Sequence, residues 1–282
     1  MKIRAGYRIT FDCLQPMPIA LMLSVHPDRR ADLITPDTLT TSTAAHVSQE
    51  IDLFGNIITR VQAPAGPITF STLFDITDSG APDPQIMGAA QIPVEALPTE
   101  TLPFLLGSRY CETDVLSDLA WSLFGATPMG WARVQAIVDY VHDRISFDYQ
   151  KARATRTAGQ GHEERVGVCR DYAHLAITFC RCMNIPARYC TGYLGDIGIP
   201  PVDAPMDFSA WFEAYLEGGW RTFDARHNIP RIGRIVIARG KDATDVAITT
   251  TFGTAWLTEF QVFTAEVTDN SRIQDYLRVA AQ

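Results

Sequence analysis

One cysteine stands where the sequence predicts that a helix begins. Apolar side chains recur at helical spacing from Cys169 onward, and Gly167 lets the chain turn just before it. Asn184 and then Pro186 mark the end of this helix. A thiol in the first turn faces unpaired backbone amides and the positive end of the helix dipole, and both favour the thiolate. The pattern therefore predicts that Cys169 is a nucleophile with a lowered pKa.

The other five cysteines have no such position. A cysteine without a special setting usually behaves as a small buried apolar residue. We interpret the remaining cysteines in this way: Cys13, Cys111, Cys180, Cys182 and Cys190.

A cysteine nucleophile needs a base and a group that orients that base. The stretch 207–224 alternates in character, and Gly218-Gly219 predicts a tight hairpin within it. A two-residue loop would place Asp224 on the same face as Ser209 and turn His227 away, whereas a three-residue loop would do the reverse. The sequence leaves both registers open. In either one, a regular hairpin cannot present both Asp224 and His227 to Ser209.

Two further histidines lie near the cysteine in the sequence. His162 precedes it in a polar loop and is a second, weaker candidate for the base. His174 lies five residues after Cys169, about 140° around a helix, so it is expected to face away and to be structural.

The elements that would position these residues fall into two parts. Residues 1–98 read as short strands with turns and a proline-containing linker, which predicts an N-terminal antiparallel β domain. Residues 99–268 begin with two helical stripes, around Leu116 and after Trp131, and become strand-like beyond Pro186. This order predicts a second domain of helices packed on an antiparallel sheet, so the chain as a whole is α+β. Residues 269–282 are interpreted as a C-terminal tail.

Composition excludes several classes of function. The chain has 282 residues, of which 46% are hydrophobic and 20% charged, as in ordinary proteins with buried cores. A net charge of −8 argues against nucleic acid or an anionic membrane surface as a partner. The six cysteines form no Cys-x-x-Cys pair and no zinc-ligand pattern, so we expect reduced thiols, no metal and no cofactor. The polar N-terminus and the lack of a long apolar run predict a cytoplasmic protein.

Several ordered motifs then resemble one family. The chain resembles the core of the transglutaminase-like superfamily, in particular its bacterial cysteine-peptidase-like branch, over roughly residues 105–265. Even the front half resembles the β domain that precedes the core in that branch, with Asp52–Asn56 as its most recognisable piece. The matching core motifs are Gly167–Ala173, Asn184–Arg188, Thr191–Tyr193, Ala210–Tyr215 and Trp220–Asp224.

The resemblance implies a papain-like α+β core. In that family a cysteine at a helix start, a histidine on the next strand and an aspartate on the strand after it form a triad for acyl transfer. Cys169 matches the nucleophile and Asp224 matches the orienting acid. Ser209 stands where the family has its histidine, directly before an Ala-Trp pair, and a serine cannot act as a base near neutral pH. His227 is the candidate for a substitute base.

Two functions remain open at this point. The chain is either a transglutaminase-like thiol enzyme that hydrolyses or transfers a peptide or protein amide through a thioester at Cys169, or a catalytically inactive binding or scaffold protein that keeps the cleft. The enzyme would take a protein or peptide as its partner. A redox or metal thiol protein is a third possibility, which the scattered cysteines do not favour. The sequence does not predict an oligomeric state.

Overall fold

The structure is a computed structural model, and it describes residues 1–201 and 206–268. It contains four α-helices in the described residues: α1 (Thr113–Phe124), α2 (Trp131–Arg144), α3 (Ala158–Glu164) and α4 (Cys169–Cys182). The strands are β1 (Lys2–Cys13), β2 (Met17–Leu21), β3 (Thr40–Thr41), β4 (His46–Ile51), β5 (Ile57–Ala63), β6 (Gly66–Thr77), β7 (Ser146–Phe147), β8 (Val166–Gly167), β9 (Ala187–Tyr193), β10 (Ser209–Leu216), β11 (Gly219–Phe223), β12 (Ile235–Gly240), β13 (Thr249–Thr251) and β14 (Ala255–Glu266).

Two antiparallel sheets build the N-terminal part. Their strand orders are β14-β1-β6-β3 and β13-β2-β5-β4. Alternate residues of β1 and β6, such as Ile3, Ile9 and Phe70, are fully buried, as the period of a half-buried strand requires. The predicted N-terminal β architecture and the α+β class are therefore confirmed.

The last two strands depart from the predicted division. The sequence assigned residues up to 268 to the second part, but β13 pairs with β2, and β14 pairs with β1 along nearly its whole length. The end of the described chain thus returns to the N-terminal sheets. Local periodicity identifies a strand but does not identify its partner when the two are more than 200 residues apart. The predicted tail, residues 269–282, lies outside the described residues.

The second part holds the predicted cysteine helix at its centre. An antiparallel sheet of order β11-β10-β9-β12 packs against α4, and helices α1, α2 and α3 pack around the same helix. From Tyr172 to Cys182 every residue of α4 is buried, so the helix forms the middle of this half. No helix in the described part of the chain is long and apolar enough to cross a membrane.

Candidate active site

Cys169 is the first residue of α4, as the sequence predicts. Asp171 helps to fix this helix start, because its Oδ2 accepts a hydrogen bond from the Val168 amide at 2.8 Å. Gly167 has a different role from the flexible turn that was expected. A Cβ at position 167 would lie 2.6 Å from Cβ of Asp171, so glycine is needed for the close approach of that side chain. The local sequence thus places the half-buried thiol at the N-terminal end of α4.

The expected lowering of the Cys169 pKa is wrong. Burial raises the pKa of the Cys169 thiol to about 11. The Arg226 guanidinium and the backbone amide of Ala210 favour the thiolate, while the Asp207 carboxylate disfavours it. Removal from water therefore outweighs the favourable charges around this sulfur, and the resting thiol is protonated at neutral pH.

Ser209 is the first residue of β10 and pairs with Gly192 of β9. Its side chain is only 5% exposed. Within the described residues its hydroxyl oxygen has no hydrogen-bond partner. Buried hydroxyls are normally hydrogen-bonded, so an unpaired one at this position is a departure that calls for an explanation.

The hairpin that carries Asp224 adopts neither of the registers considered from the sequence. Leu216 pairs with Gly219, so the two loop residues are Glu217 and Gly218 rather than the Gly-Gly pair. Strand β11 ends at Phe223, and Asp224 follows it directly. The strand parity that would separate Asp224 from His227 therefore no longer applies beyond residue 223.

The turn after β11 brings Asp224 and His227 together. Oδ1 of Asp224 accepts the backbone amides of Arg226 and His227, each at 3.1 Å. Oδ2 lies 2.8 Å from Nδ1 of His227 and accepts Nη2 of Arg234 at 2.9 Å. The carboxylate thus holds the imidazole by one nitrogen, as an orienting acid does for a catalytic histidine.

These contacts keep Asp224 ionised. Its side chain is buried, and burial alone would raise the pKa of the carboxyl group. The charges and hydrogen bonds of Arg234 and His227 outweigh that effect and hold the pKa of Asp224 well below its usual range. Asp224 is therefore a buried, ion-paired carboxylate, and within the described residues its arginine partner is Arg234.

Ser209 and His227 line one small cavity of about 70 Å³, with Tyr149, Asp207 and Arg226 also in its wall. Arg226 lies over the Phe147 ring at 3.9 Å. Within residues 1–201 and 206–268, no hydrogen bond joins the Cys169 thiol to Ser209, Asp224 or His227. The structure therefore brings the candidate base His227 and the candidate orienting acid Asp224 together, and among the described contacts it leaves the thiol without a direct bond to either.

The two other histidines lie in different surroundings. His174 is fully buried; its Nε2 accepts the Ala243 amide at 3.1 Å, and its ring stacks on Tyr110, which fits the predicted structural role. Burial lowers the pKa of His174 to about 3. His162 bonds to the Tyr140 hydroxyl at 2.8 Å rather than to the candidate site.

Sequence reasoning missed Arg234 as the main partner of Asp224. Nothing in the local spacing indicates it, because Asp224 follows β11, Arg234 precedes β12, and the two meet only in the folded chain. Within the part of the chain that the structure describes, no group of three or more His, Cys, Asp or Glu side chains could hold a metal ion.

Comparisons with known proteins bear on this arrangement. Residues 119–225 match the family model described as the transglutaminase-like superfamily. A crystal structure from Cytophaga hutchinsonii, described as a candidate cysteine protease, superimposes with a TM-score of 0.81 and 29% identity over 96% of this chain and 92% of that one. The periplasmic domain of TgpA from Pseudomonas aeruginosa aligns at a TM-score of 0.39 and 15% identity, over 79% of this chain and 90% of that domain.

A curated relative matches over a shorter stretch. An uncharacterised protein of Mycobacterium leprae is 36% identical over 88 residues, which are 29% of this chain. The match spans 30% of that protein, less than a third of its length. The family match shows that residues 119–225 of this chain are similar to the transglutaminase-like superfamily.

Proposed function

We propose that this protein is a thiol enzyme that hydrolyses or transfers peptide or protein amides, with Cys169 as nucleophile, His227 as base and Asp224 as the acid that orients the base. The observation that carries the proposal is the 2.8 Å contact between Nδ1 of His227 and Oδ2 of Asp224. His227 also lines the cavity that Ser209 lines. This contact leaves Nε2 of His227 to exchange a proton with the thiol and the leaving group.

In this mechanism the thiol and the imidazole act together. Nε2 of His227 takes the proton of Cys169 as the sulfur attacks the amide carbonyl, and the resulting imidazolium returns that proton to the departing amine. A thioester at Cys169 remains. Water or an acceptor amine then attacks it, His227 removes a proton from the attacking group, and the sulfur leaves with that proton. The raised pKa of Cys169 favours such a concerted transfer over a preformed thiolate.

The replacement of the family histidine by Ser209 fits this proposal. A serine side chain is shorter than an imidazole, and the cavity beside it has His227 in its wall. His227 reaches Asp224 from the turn after β11 rather than from β10. The same acid would thus hold an imidazole supplied by a different position in the chain.

The comparisons support the general class. The superfamily match and the Cytophaga hutchinsonii structure, described as a candidate cysteine protease, favour a thiol enzyme acting on proteins or peptides. A cytoplasmic location belongs to this proposal, and all six cysteines are unpaired in the structure, as it requires.

The test is to trap the thioester. The protein is incubated with an N-blocked glutaminyl-glycine peptide or a fluorogenic peptide mixture, with and without hydroxylamine as acceptor, and intact mass spectrometry follows acylation. An adduct on Cys169 that is lost in Cys169→Ala and reduced in His227→Ala is the expected result. An adduct that forms equally in His227→Ala would remove His227 from the mechanism.

A second candidate function is that of an inactive scaffold. The observation that favours it is the protonated thiol, with its pKa of about 11 and no described hydrogen bond to His227. An inactive scaffold would form no adduct with either probe and would show no amide turnover, whereas Ser209→His would create activity that the parent lacks. The two functions are therefore separated by the same trapping experiment.

A further inference from the structure

A second cavity, of about 260 Å³, adjoins the candidate active site. Its wall is unusually rich in guanidinium groups, which come from Arg29, Arg231, Arg234 and Arg239. Arg231 also lines the small cavity that holds Ser209, so the two cavities are neighbours. The proposed thiol chemistry does not use this second cavity.

Arg231 is a buried cation that forms no ion pair with another described residue. Its side chain is 2% exposed, and it forms no ion pair within residues 1–201 and 206–268, although the charges of Asp224 and Asp196 oppose the lowering of its pKa by burial. Nη2 donates to the Gly195 carbonyl at 2.8 Å, and Nε has no partner among the described residues. Buried charges are normally paired, because removing an unpaired guanidinium from water is costly.

Arg234 presents a second unpaired donor at the same cavity. Its Nε binds Asp83 at 2.9 Å and its Nη2 binds Asp224 at 2.9 Å. Nη1 is buried and has no partner among the described residues, and the guanidinium lies 5.0 Å from the Trp211 ring. Two buried cationic N–H groups in one wall therefore lack acceptors.

The carboxylates of this cavity are already occupied. Asp78, Asp83 and Glu213 also line it, and each forms an ion pair with an arginine, at 3.3, 2.9 and 2.6 Å. The wall holds four arginines against three carboxylates. Arg29, Arg234 and Arg239 each form ion pairs, so Arg231 is the lining arginine without an ion pair within residues 1–201 and 206–268.

We infer that this cavity binds a small oxyanion, a phosphate or a carboxylate group, through Arg231 and Arg234. Guanidinium groups suit such ligands because their fixed planar donors match two oxygens at once. A cavity of about 260 Å³ has room for a free anion or for the end of a longer acidic molecule. The same ligand would supply the acceptors that the two buried donors lack.

Anion titration tests the inference. Inorganic phosphate and, separately, N-acetylglycine are added to the full chain at constant ionic strength, with sodium chloride as the reference salt, and calorimetry and thermal unfolding are followed. We expect saturable binding and a rise in Tm with at least one probe. Phosphate alone would indicate a free phosphate or phosphoryl group, and N-acetylglycine alone would indicate a peptide carboxylate. Binding of neither probe beyond the chloride reference overturns the inference.

Two variants identify the site. Arg231→Met should weaken probe binding by about tenfold to a hundredfold, the effect of losing a charged hydrogen bond. Without the probe its Tm should equal or exceed that of the parent, because the variant removes an unpaired buried charge. Undiminished binding in Arg231→Met overturns the assignment. If that variant does not fold, Arg231→Lys, which keeps the charge but loses the planar pair of donors, decides the question by the same loss of binding.

A buried arginine elsewhere provides the matched control. Arg133 is 6% exposed and also lacks a described ion pair, but all three of its guanidinium nitrogens have partners, among them the Thr127 carbonyl at 2.9 Å. Arg133→Met should therefore lower the Tm and leave probe binding unchanged. Equal loss of binding in Arg133→Met and Arg231→Met would show a general effect of destabilisation and would contradict the inference.

Discussion

The imidazole of His227 lies 2.8 Å from the carboxylate of Asp224, which stands three positions earlier in the chain. The turn after β11 produces this contact by itself, since the Asp224 carboxylate also accepts two backbone amides of the turn. Asn228 completes the turn with a positive φ of 51°. The acid and its imidazole are thus held by one short segment, and only the thiol comes from a distant element.

The first prediction concerns the base. If His227 accepts the Cys169 proton, His227→Ala should lower kcat of any amide turnover by about a hundredfold to ten-thousandfold, because general acid–base assistance contributes about that much. Steady-state kinetics with the peptide that acylates Cys169 measures the change in kcat. His46 is an exposed histidine of β4 and provides the control, so His46→Ala should retain full activity. Equal rates in parent and His227→Ala would exclude His227 as the base.

The second prediction concerns the Asp224 carboxylate and pH. Its pKa is depressed in the folded state, so it contributes stability above the unfolded-state pKa of about 3.9 and loses that contribution as the pH falls below this value. Asp224→Asn should cost about 3 kcal/mol in the free energy of unfolding at pH 7, because Arg234 loses one buried partner. Urea denaturation at several pH values should show that this difference shrinks below about pH 4. A difference that does not vary with pH would contradict the depressed pKa.

The third prediction concerns Ser209. Its hydroxyl is buried and unpaired among the described residues, so Ser209→Ala should leave the free energy of unfolding unchanged or raise it by about 1 kcal/mol. Thr191 is a matched control on the neighbouring strand, because its buried hydroxyl donates to the Ser209 carbonyl at 3.1 Å. Thr191→Val should lose about 1 kcal/mol. Urea denaturation compares the two variants.

Position 209 also tests whether a histidine on β10 can take over the role of His227. Ser209→Ala should keep the parent activity, because the serine is not the base. In the His227→Ala background, Ser209→His should restore part of the lost activity, since Asp224 is then free to hold an imidazole that comes from β10. Loss of activity in Ser209→Ala would instead give the serine a direct role.

The fourth prediction concerns the reactivity of the thiol. With a pKa raised to about 11, Cys169 should react with iodoacetamide about tenfold faster for each pH unit between 7 and 10. The other five cysteines are at most 8% exposed, so peptide mapping should find modification at Cys169 alone. Arg226→Gln should slow the reaction further, because the arginine favours the thiolate. A rate that levels off below pH 8 would support the helix-dipole prediction instead.

Local patterns predicted much of the fold around this site. The start of α4 at Cys169 was predicted, and Asn184 has a φ of 59°, the left-handed conformation expected of a helix stop. These features depend on residues that are neighbours in the chain. The pKa of Cys169 was predicted in the wrong direction, because the sequence shows the helix dipole but does not show how much water the fold removes from the sulfur.

The sequence did not predict which distant residues contact each other in the folded chain. The hairpin turns one residue earlier than the Gly-Gly pair suggested, and its strand pairing ends at Phe223, just before Asp224. Arg234, ten residues after Asp224 and directly before β12, binds its carboxylate with no periodic relation to it in the sequence. The unpaired Nε of Arg231 is likewise visible only after the chain has folded.

The fifth prediction concerns the glycine that precedes the cysteine helix. A Cβ at Gly167 would meet Cβ of Asp171 at 2.6 Å, and Asp171 caps the helix start through the Val168 amide. Gly167→Ala should therefore push this cap away and lower the free energy of unfolding by about 1–3 kcal/mol, as overpacking does. Gly88→Ala is the matched control, because a Cβ there meets no atom within 4 Å. Urea denaturation measures both variants, and iodoacetamide labelling follows the thiol. If Gly167→Ala is as stable as Gly88→Ala and labels at the parent rate, the Asp171 cap does not fix the position of Cys169.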